Sequence, residues 1–361
     1  MKEEKGKDNR QILSKNITEK YAELNRKKIL IGLALLAFLF LFSLYSLSIG
    51  GYRLALSQIY MALIGQGEDS ANLIIWNIRL PRIIAAIIAG ISLAVSGAVM
   101  QCTLRNPLAS PYTIGISHGA MFGAAFAIIL FGIGGAESTG EIFINSPYLV
   151  TIFAFIGSFM AALVILLLAK LRKFTPEAMI LAGIAMGSLF SAGTMVIQYF
   201  ANDLQLASMV YWTFGDLGRP LWAEVGIMTI VMFISLIYFL YKRWDYNALE
   251  SGEESAQSLG VNTEKTRLVS MLIASLLVSV NVAFLGIIGF VGLICPHLIR
   301  ILIGGDYRFL IPISALFGAI LLLVSDTIAR TIISPIVLPV GILTSFMGAP
   351  LFLYLLIKMY K

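Results

Sequence analysis

Charge is scarce in this sequence. Of its 361 residues, 26 are Lys or Arg and 20 are Asp or Glu, 13% together, where an ordinary soluble domain carries roughly 25%. A soluble enzyme is therefore a poor fit. Cysteine is nearly absent: Cys102 and Cys295 both lie inside apolar stretches, which argues against a disulfide framework. No G-x-x-x-x-G-K-S/T phosphate loop occurs, so the chain has no recognisable nucleotide site of its own. An ion-coupled secondary transporter, the alternative of a different class, would need buried acids near mid-membrane, and intramembrane catalysis would need a nucleophile or metal set. The apolar runs offer neither, and an unpaired charge there would cost on the order of 3 kcal/mol. His118 and His297 have no Cys, Asp or Glu at ligand spacing, so no metal or other cofactor is expected. The net charge of +6 is not interleaved with aromatic residues, and no nucleic-acid partner is expected.

What is present is apolar. Residues 1–28 hold 14 charges and residues 242–267 another 9, so half of all charge lies in two short stretches. Elsewhere many windows of about 20 residues are uncharged, long enough to cross a bilayer. The pattern predicts an all-α, polytopic membrane protein: a charged cytoplasmic tail, 1–28, then a domain, 29–361, of ten spans. These fall near 29–49, 80–101, 112–133, 148–171, 178–200, 221–241, 268–287, 288–303 (short), 310–333 and 340–360. With both termini in the cytoplasm, 21 of the 26 basic residues lie on that side, as retention of Lys and Arg there requires. The opposite face keeps Arg53, Arg79, Arg82, Arg219 and Arg330.

Several segments could do work. Asp326 and Arg330 are spaced i,i+4 with the acid first, the better order for a helical ion pair. Arg79-Leu-Pro-Arg82 places two cations on the outer face, with the proline opening a span. There they either snorkel to lipid phosphate or offer a patch to an acidic protein. The break from Gln101 to Pro111, with two prolines and Arg105, is either a plain turn or the border of a pathway, because irregular backbone in a membrane needs protein or a water-filled cavity around it. In the polar insert 242–267, Ser251 and Glu254 have capping-box spacing and Gly260 suits a left-handed stop. This predicts a cytoplasmic helix of about two turns, either a solvated connector or a handle for a cytosolic partner. Small residues such as Ala89-Gly90 and Ser96-Gly97 suit close helix packing.

Taken in order, these motifs resemble those of the FecCD-like permeases of binding-protein-dependent ABC importers for iron-siderophores, haem and cobalamin. The likeness covers roughly residues 50–361. It rests on Arg79-Leu-Pro-Arg82, Ser96-Gly97 with Gln101, Arg105-Asn-Pro-Leu-Ala109 with Pro111, Leu181-Ala-Gly183, Ile288-Gly-Phe-Val-Gly-Leu293, Pro296-His297, Asp326 with Ala329-Arg330, Leu338-Pro-Val-Gly341 and Gly348-Ala-Pro350. The resemblance implies a large, type II importer permease in the cytoplasmic membrane. It would pair with a second copy or a paralogue, two ATPase subunits below and an extracytoplasmic substrate-binding protein above, and would hydrolyse no ATP itself. Its cargo would be an iron-siderophore first, with haem or cobalamin and related corrinoids as alternatives. Arg79, Arg82 and Arg330 would meet glutamates of the binding protein. Glu250, Gly252, Glu253, Glu254, Ala256, Leu259 and Gly260 would form the coupling helix in the ATPase groove. Asn106 and Leu108, with Thr175, Pro176 and Glu177, would narrow the path on the cytoplasmic side. One departure is Val337, where the family commonly has Glu.

Overall fold

The computed structural model describes residues 2–50, 54–112, 114–133, 135–136, 142–143, 146–171 and 176–359. Almost all of them are helical. Helix α1 runs from Lys2 to Ser48, followed by α2 (Leu56–Leu63), α3 (Asp69–Leu73), α4 (Leu80–Thr103), α5 (Ile116–Leu130), α6 (Pro147–Leu171) and α7 (Pro176–Phe200). Then come α8 (Asp203–Thr213), α9 (Trp222–Tyr241), α10 (Arg243–Glu250), α11 (Glu253–Ser258), α12 (Thr263–Leu285), α13 (Val291–Ile303), α14 (Tyr307–Thr331) and α15 (Val340–Met359). Among the described residues the strands are two-residue pieces, β1 (Gly135–Ala136) and β2 (Ile142–Phe143), paired antiparallel.

A helix stands at each of the ten expected positions. Seven are long and apolar enough to cross a membrane, while α5, α13 and α15 are shorter apolar helices. The count of ten crossings thus rests on full-length spans for seven. α13 is short because Gly286 and Phe290 both adopt positive φ, breaking the apolar run into two helices.

One local expectation changes. Pro81 does not open a helix: Asp69–Thr103 is continuous, with a π-helical turn over Ile74–Arg79 directly ahead of the proline. Proline has no N–H to give the ladder, and a widened turn absorbs the defect without ending the helix. Helix α1 runs without a break from the charged tail into the first span.

α4 is the central helix. Its extended run has 83% of its most apolar window buried, against 11% for the first span and 17% for Ala178–Phe200. It packs on α14, α12 and α13, and glycine makes the approach possible. A Cβ on Gly90 would sit 2.3 Å from the Gly318 carbonyl oxygen, and one on Gly97 would sit 1.7 Å from that of Gly292. Helix backbones come this close in membranes only where side chains are absent.

Candidate coupling arm, groove and arginine cluster

Between α9 and α12 the insert forms two short helices, α10 and α11, where the sequence predicts one. Ser251 does not cap α11: its hydroxyl donates back to the Asn247 carbonyl at 3.2 Å, ending α10. Gly252, at φ 123°, takes the N-cap place of α11. α11 has six residues, and Gly260 at φ 83° turns the chain out of it, as expected of a glycine there.

α10 is rooted in the bundle. Tyr246 and Leu249 are buried, the Tyr246 hydroxyl lies 2.9 Å from that of Ser270, and its ring is 5.8 Å from that of Tyr307. Asn247 staples the root to the start of α14, donating to Asp306 at 3.1 Å and accepting from the Tyr307 amide at 2.8 Å. Arg300 pairs with Glu250 and donates to the Tyr307 hydroxyl at 2.6 Å. Burial alone would raise the Asp306 carboxyl, but Arg308 and Asn247 bonding to the charged form hold it down to about 2.

The expected coupling residues therefore divide. Glu250 turns to Arg300, Glu253 pairs at 3.1 Å with the buried Arg267, and Ala256 is fully buried. Glu254, Leu259 and Gly260 are exposed, Leu259 at 72%. The first group holds α11 in place; the second is the surface a partner could touch.

Two grooves flank the break after α4. One, of about 930 Å³, is lined by Leu108, Ser110, Tyr112, Phe290 and Ser345. The other, of about 670 Å³, is lined by Asn106, Leu108, Tyr112, His118, Ser188 and Met195. Leu108 and Tyr112 face both. Arg105 at φ 47° and the Asn106 side chain, accepting from the Leu108 amide at 2.9 Å, fix this turn between them. Beside the larger groove Phe214 bridges to Ile287, the Asp216 amide donates to Leu285, and the Gly341 amide donates to Gly215. Irregular backbone is thus satisfied by protein while bordering a cavity. Of the expected narrowing residues, Asn106 and Leu108 line the grooves. Thr175 lies outside the described residues, and Pro176 and Glu177 are described only as backbone opening α7.

At the opposite end from the arm, the three arginines are not surface cations. Asp326 is fully buried and pairs with Arg82 at 2.9 Å and Arg330 at 3.0 Å. Arg82 also reaches Asp216 at 3.5 Å. Arg79, 4% exposed, donates to the Leu47 carbonyl, and Arg330 donates to the Ser46 hydroxyl at 2.7 Å and to the Ile49 carbonyl. The expected i,i+4 pair is present. The reading of Arg79 and Arg82 as exposed is corrected: Arg82 turns inward to the buried Asp326 carboxylate, which requires a partner, and Arg79 to a carbonyl at the end of α1.

Sequence reasoning missed Asn247, Arg300 and Tyr307 as the arm's anchors, and Tyr112, His118, Ser188 and Ser345 in the grooves. No local signal marks the anchors, since their partners lie 50 to 60 residues away. The glycine-rich motif from Ile288 to Leu293 does reach the larger groove, through Gly289, Phe290 and Leu293.

These features define a multi-pass helical membrane transport subunit. The FecCD transport family model matches residues 35–358, and the chain belongs to that family. A candidate ABC transporter permease protein of Methanocaldococcus jannaschii is 74% identical over 96% of this chain and 99% of its own length. The hemin transport system permease protein of Yersinia pestis is 37% identical over 84% and 89%. Among solved structures, a candidate metal-chelate type ABC transporter in an inward-facing conformation aligns with TM-score 0.79 and 32% identity over 91% of this chain and 99% of that one.

Proposed function

We propose that this chain is the translocation subunit of an ATP-driven importer that carries an iron chelate, a siderophore complex, across the cytoplasmic membrane. Both termini and the arm face the cytoplasm. Two ATPase subunits supply the work, a second copy or paralogue completes the path along the exposed α7 and α15 side, and an extracytoplasmic binding protein delivers cargo. The observation that carries this reading is the arm: a short helix fixed to the bundle by Glu253 and Ala256, with Glu254 and Leu259 left outward, is built to pass force from a soluble partner to α12 and α14. The hemin relative and the metal-chelate type structure support a chelate as cargo. The two wide grooves of mixed apolar and hydroxyl lining suit a large, partly apolar solute better than a bare ion. The arginines are not assigned to docking; they are read as closing the outer end around Asp326.

The test is cargo stimulation of ATP hydrolysis by the reconstituted complex with its binding protein. Ferric siderophores should raise the rate several-fold over haem and cobalamin. Stimulation by cobalamin or haem alone would reassign the cargo, and no response to any chelate would sink the importer reading.

A further inference from the structure

Among the described residues, Arg105 and Phe290 are the non-glycine residues with positive φ, 47° and 66°. An L side chain rarely adopts this conformation, and where one persists its surroundings hold it there. Phe290 is accounted for by its place, since it caps α13 and lines the larger groove. Arg105 is not. It stands just past the end of α4, where its amide donates to the Cys102 carbonyl and the Asn106 amide to the Gln101 carbonyl, both at 3.1 Å. This is the helix-ending turn in which glycine usually takes the left-handed place, having no Cβ to clash. Arginine makes the turn at a backbone cost that glycine would avoid, which points to a use for its side chain.

The side chain leads to the arm. A Cβ placed on Gly252 would lie 3.6 Å from Arg105 Nη2, so the guanidinium rests against the joint between α10 and α11. Arg105 is exposed, and among the described residues no hydrogen bond or ion pair holds its guanidinium. The contact is therefore separate from the buried packing that roots α10. The backbone leads to the grooves. Gln101 donates to the Leu293 carbonyl at 3.1 Å and the Cys102 thiol to the Tyr246 carbonyl at 3.5 Å, which fixes the base of the turn to α13 and α10. Beyond it Asn106 lines the smaller groove and Leu108 lines both. The Asn106 and Leu108 amides are both bonded within the turn, so it moves as a unit.

We propose that Arg105 is a positioning residue for coupling: its side chain passes movement at the α10–α11 joint to the turn that sets Asn106 and Leu108 at the grooves. This rests on the coupling reading of α11. Displacement of α11 acts on the guanidinium at Gly252, and the bonded turn delivers it to the groove walls.

The experiment uses the full complex of permease, ATPase and binding protein in proteoliposomes. Arg105→Gly keeps the turn in a conformation that glycine favours and removes only the side chain. ATPase affinity should stay at the wild-type value and the thermal transition should not fall, while ferric siderophore taken up per ATP hydrolysed should drop about 5-fold or more. A reporter thiol, Leu108→Cys, reads the turn without any cargo, since Cys102 and Cys295 are both buried. Its rate of maleimide modification should differ several-fold between the nucleotide-free and ATP-bound complex, and Arg105→Gly should remove that difference. Wild-type uptake per ATP in Arg105→Gly overturns the proposal, as does a reporter that ignores ATP in the parent. Loss of ATPase affinity also overturns it, by making Arg105 a docking contact, and so does a lowered thermal transition, by making its side chain part of the packing. Glu254→Lys with Leu259→Glu separates this inference from the reading beneath it. Wild-type ATPase affinity in that variant sinks the α11 reading; lost affinity there, with normal coupling in Arg105→Gly, sinks the role of Arg105 alone.

Discussion

At the scale of single residues, Asp326 is the most constrained group. Its carboxylate is fully buried and shared by Arg82 and Arg330, so Asp326→Asn would leave two buried guanidiniums short of an anion. Removing one partner of such a buried set typically costs about 3–5 kcal/mol. A large drop in the thermal transition of the detergent-solubilised protein is expected, with Arg82→Lys milder because it keeps charge but loses the two-pronged contact. An unmoved transition for Asp326→Asn would show that the cluster contributes little. The Asp326 to Arg330 half of this cluster was legible, because i,i+4 spacing is a local rule. The Arg82 half was not: its partner lies 244 residues away, and charge counting could tell only that Arg82 sits at the outer end. It could not tell that the side chain turns inward. Ala256 and Glu253 are the same case at the arm, where the identity of the residues was visible and their direction was not.

At the scale of elements, helix contact and helix capping can be tested apart. Gly97→Val would push Cβ into the Gly292 carbonyl, and overpacking of this kind costs about 1–3 kcal/mol or more where neighbours are backbone. Lower yield and a lower thermal transition are expected, whereas Gly226→Ala, inside α9 and facing open space, should lower neither. Asp306 provides a pH-dependent contact. Its folded value of about 2 lies below the ordinary 3.8, so the stabilisation it supplies is complete above roughly pH 4 and is lost as pH falls toward 2. Asp306→Asn should flatten the acid limb of a stability profile measured from pH 5 to 2; an unchanged limb would contradict the role given to it. The spans were legible as elements because an uncharged, apolar window of about 20 residues matches the thickness of a bilayer core. The continuous run from α3 through the π turn into α4 was not, because Pro81 reads as a helix start unless a widened turn is seen. Nor was the division of residues 243–258 into α10 and α11, because Ser251 can cap forward or bond backward and only the packing of Tyr246 and Leu249 decides it.

At the scale of the whole molecule, α14 joins the two ends. It begins at the arm's anchors, Asp306 and Tyr307, and ends at Asp326 and Arg330, and its 25 residues span roughly 37 Å, close to a bilayer core. Residues 21 and 28 contact the arm end while Ser46, Leu47 and Ile49 contact the arginine end. Family and fold class were legible from ordered motifs. Cargo was not, because the grooves are lined by hydroxyl, amide and apolar groups that suit many large solutes. The most direct measurement of the central claim, that work enters through the exposed face of α11, is ATP-dependent accumulation of a radio-iron siderophore in proteoliposomes containing the permease, its ATPase and its binding protein. Wild type should accumulate iron only with ATP, and Glu254→Lys combined with Leu259→Glu should lose most of that uptake while the binding protein still holds the chelate. ATP-driven uptake at the wild-type rate in the double variant would contradict the claim.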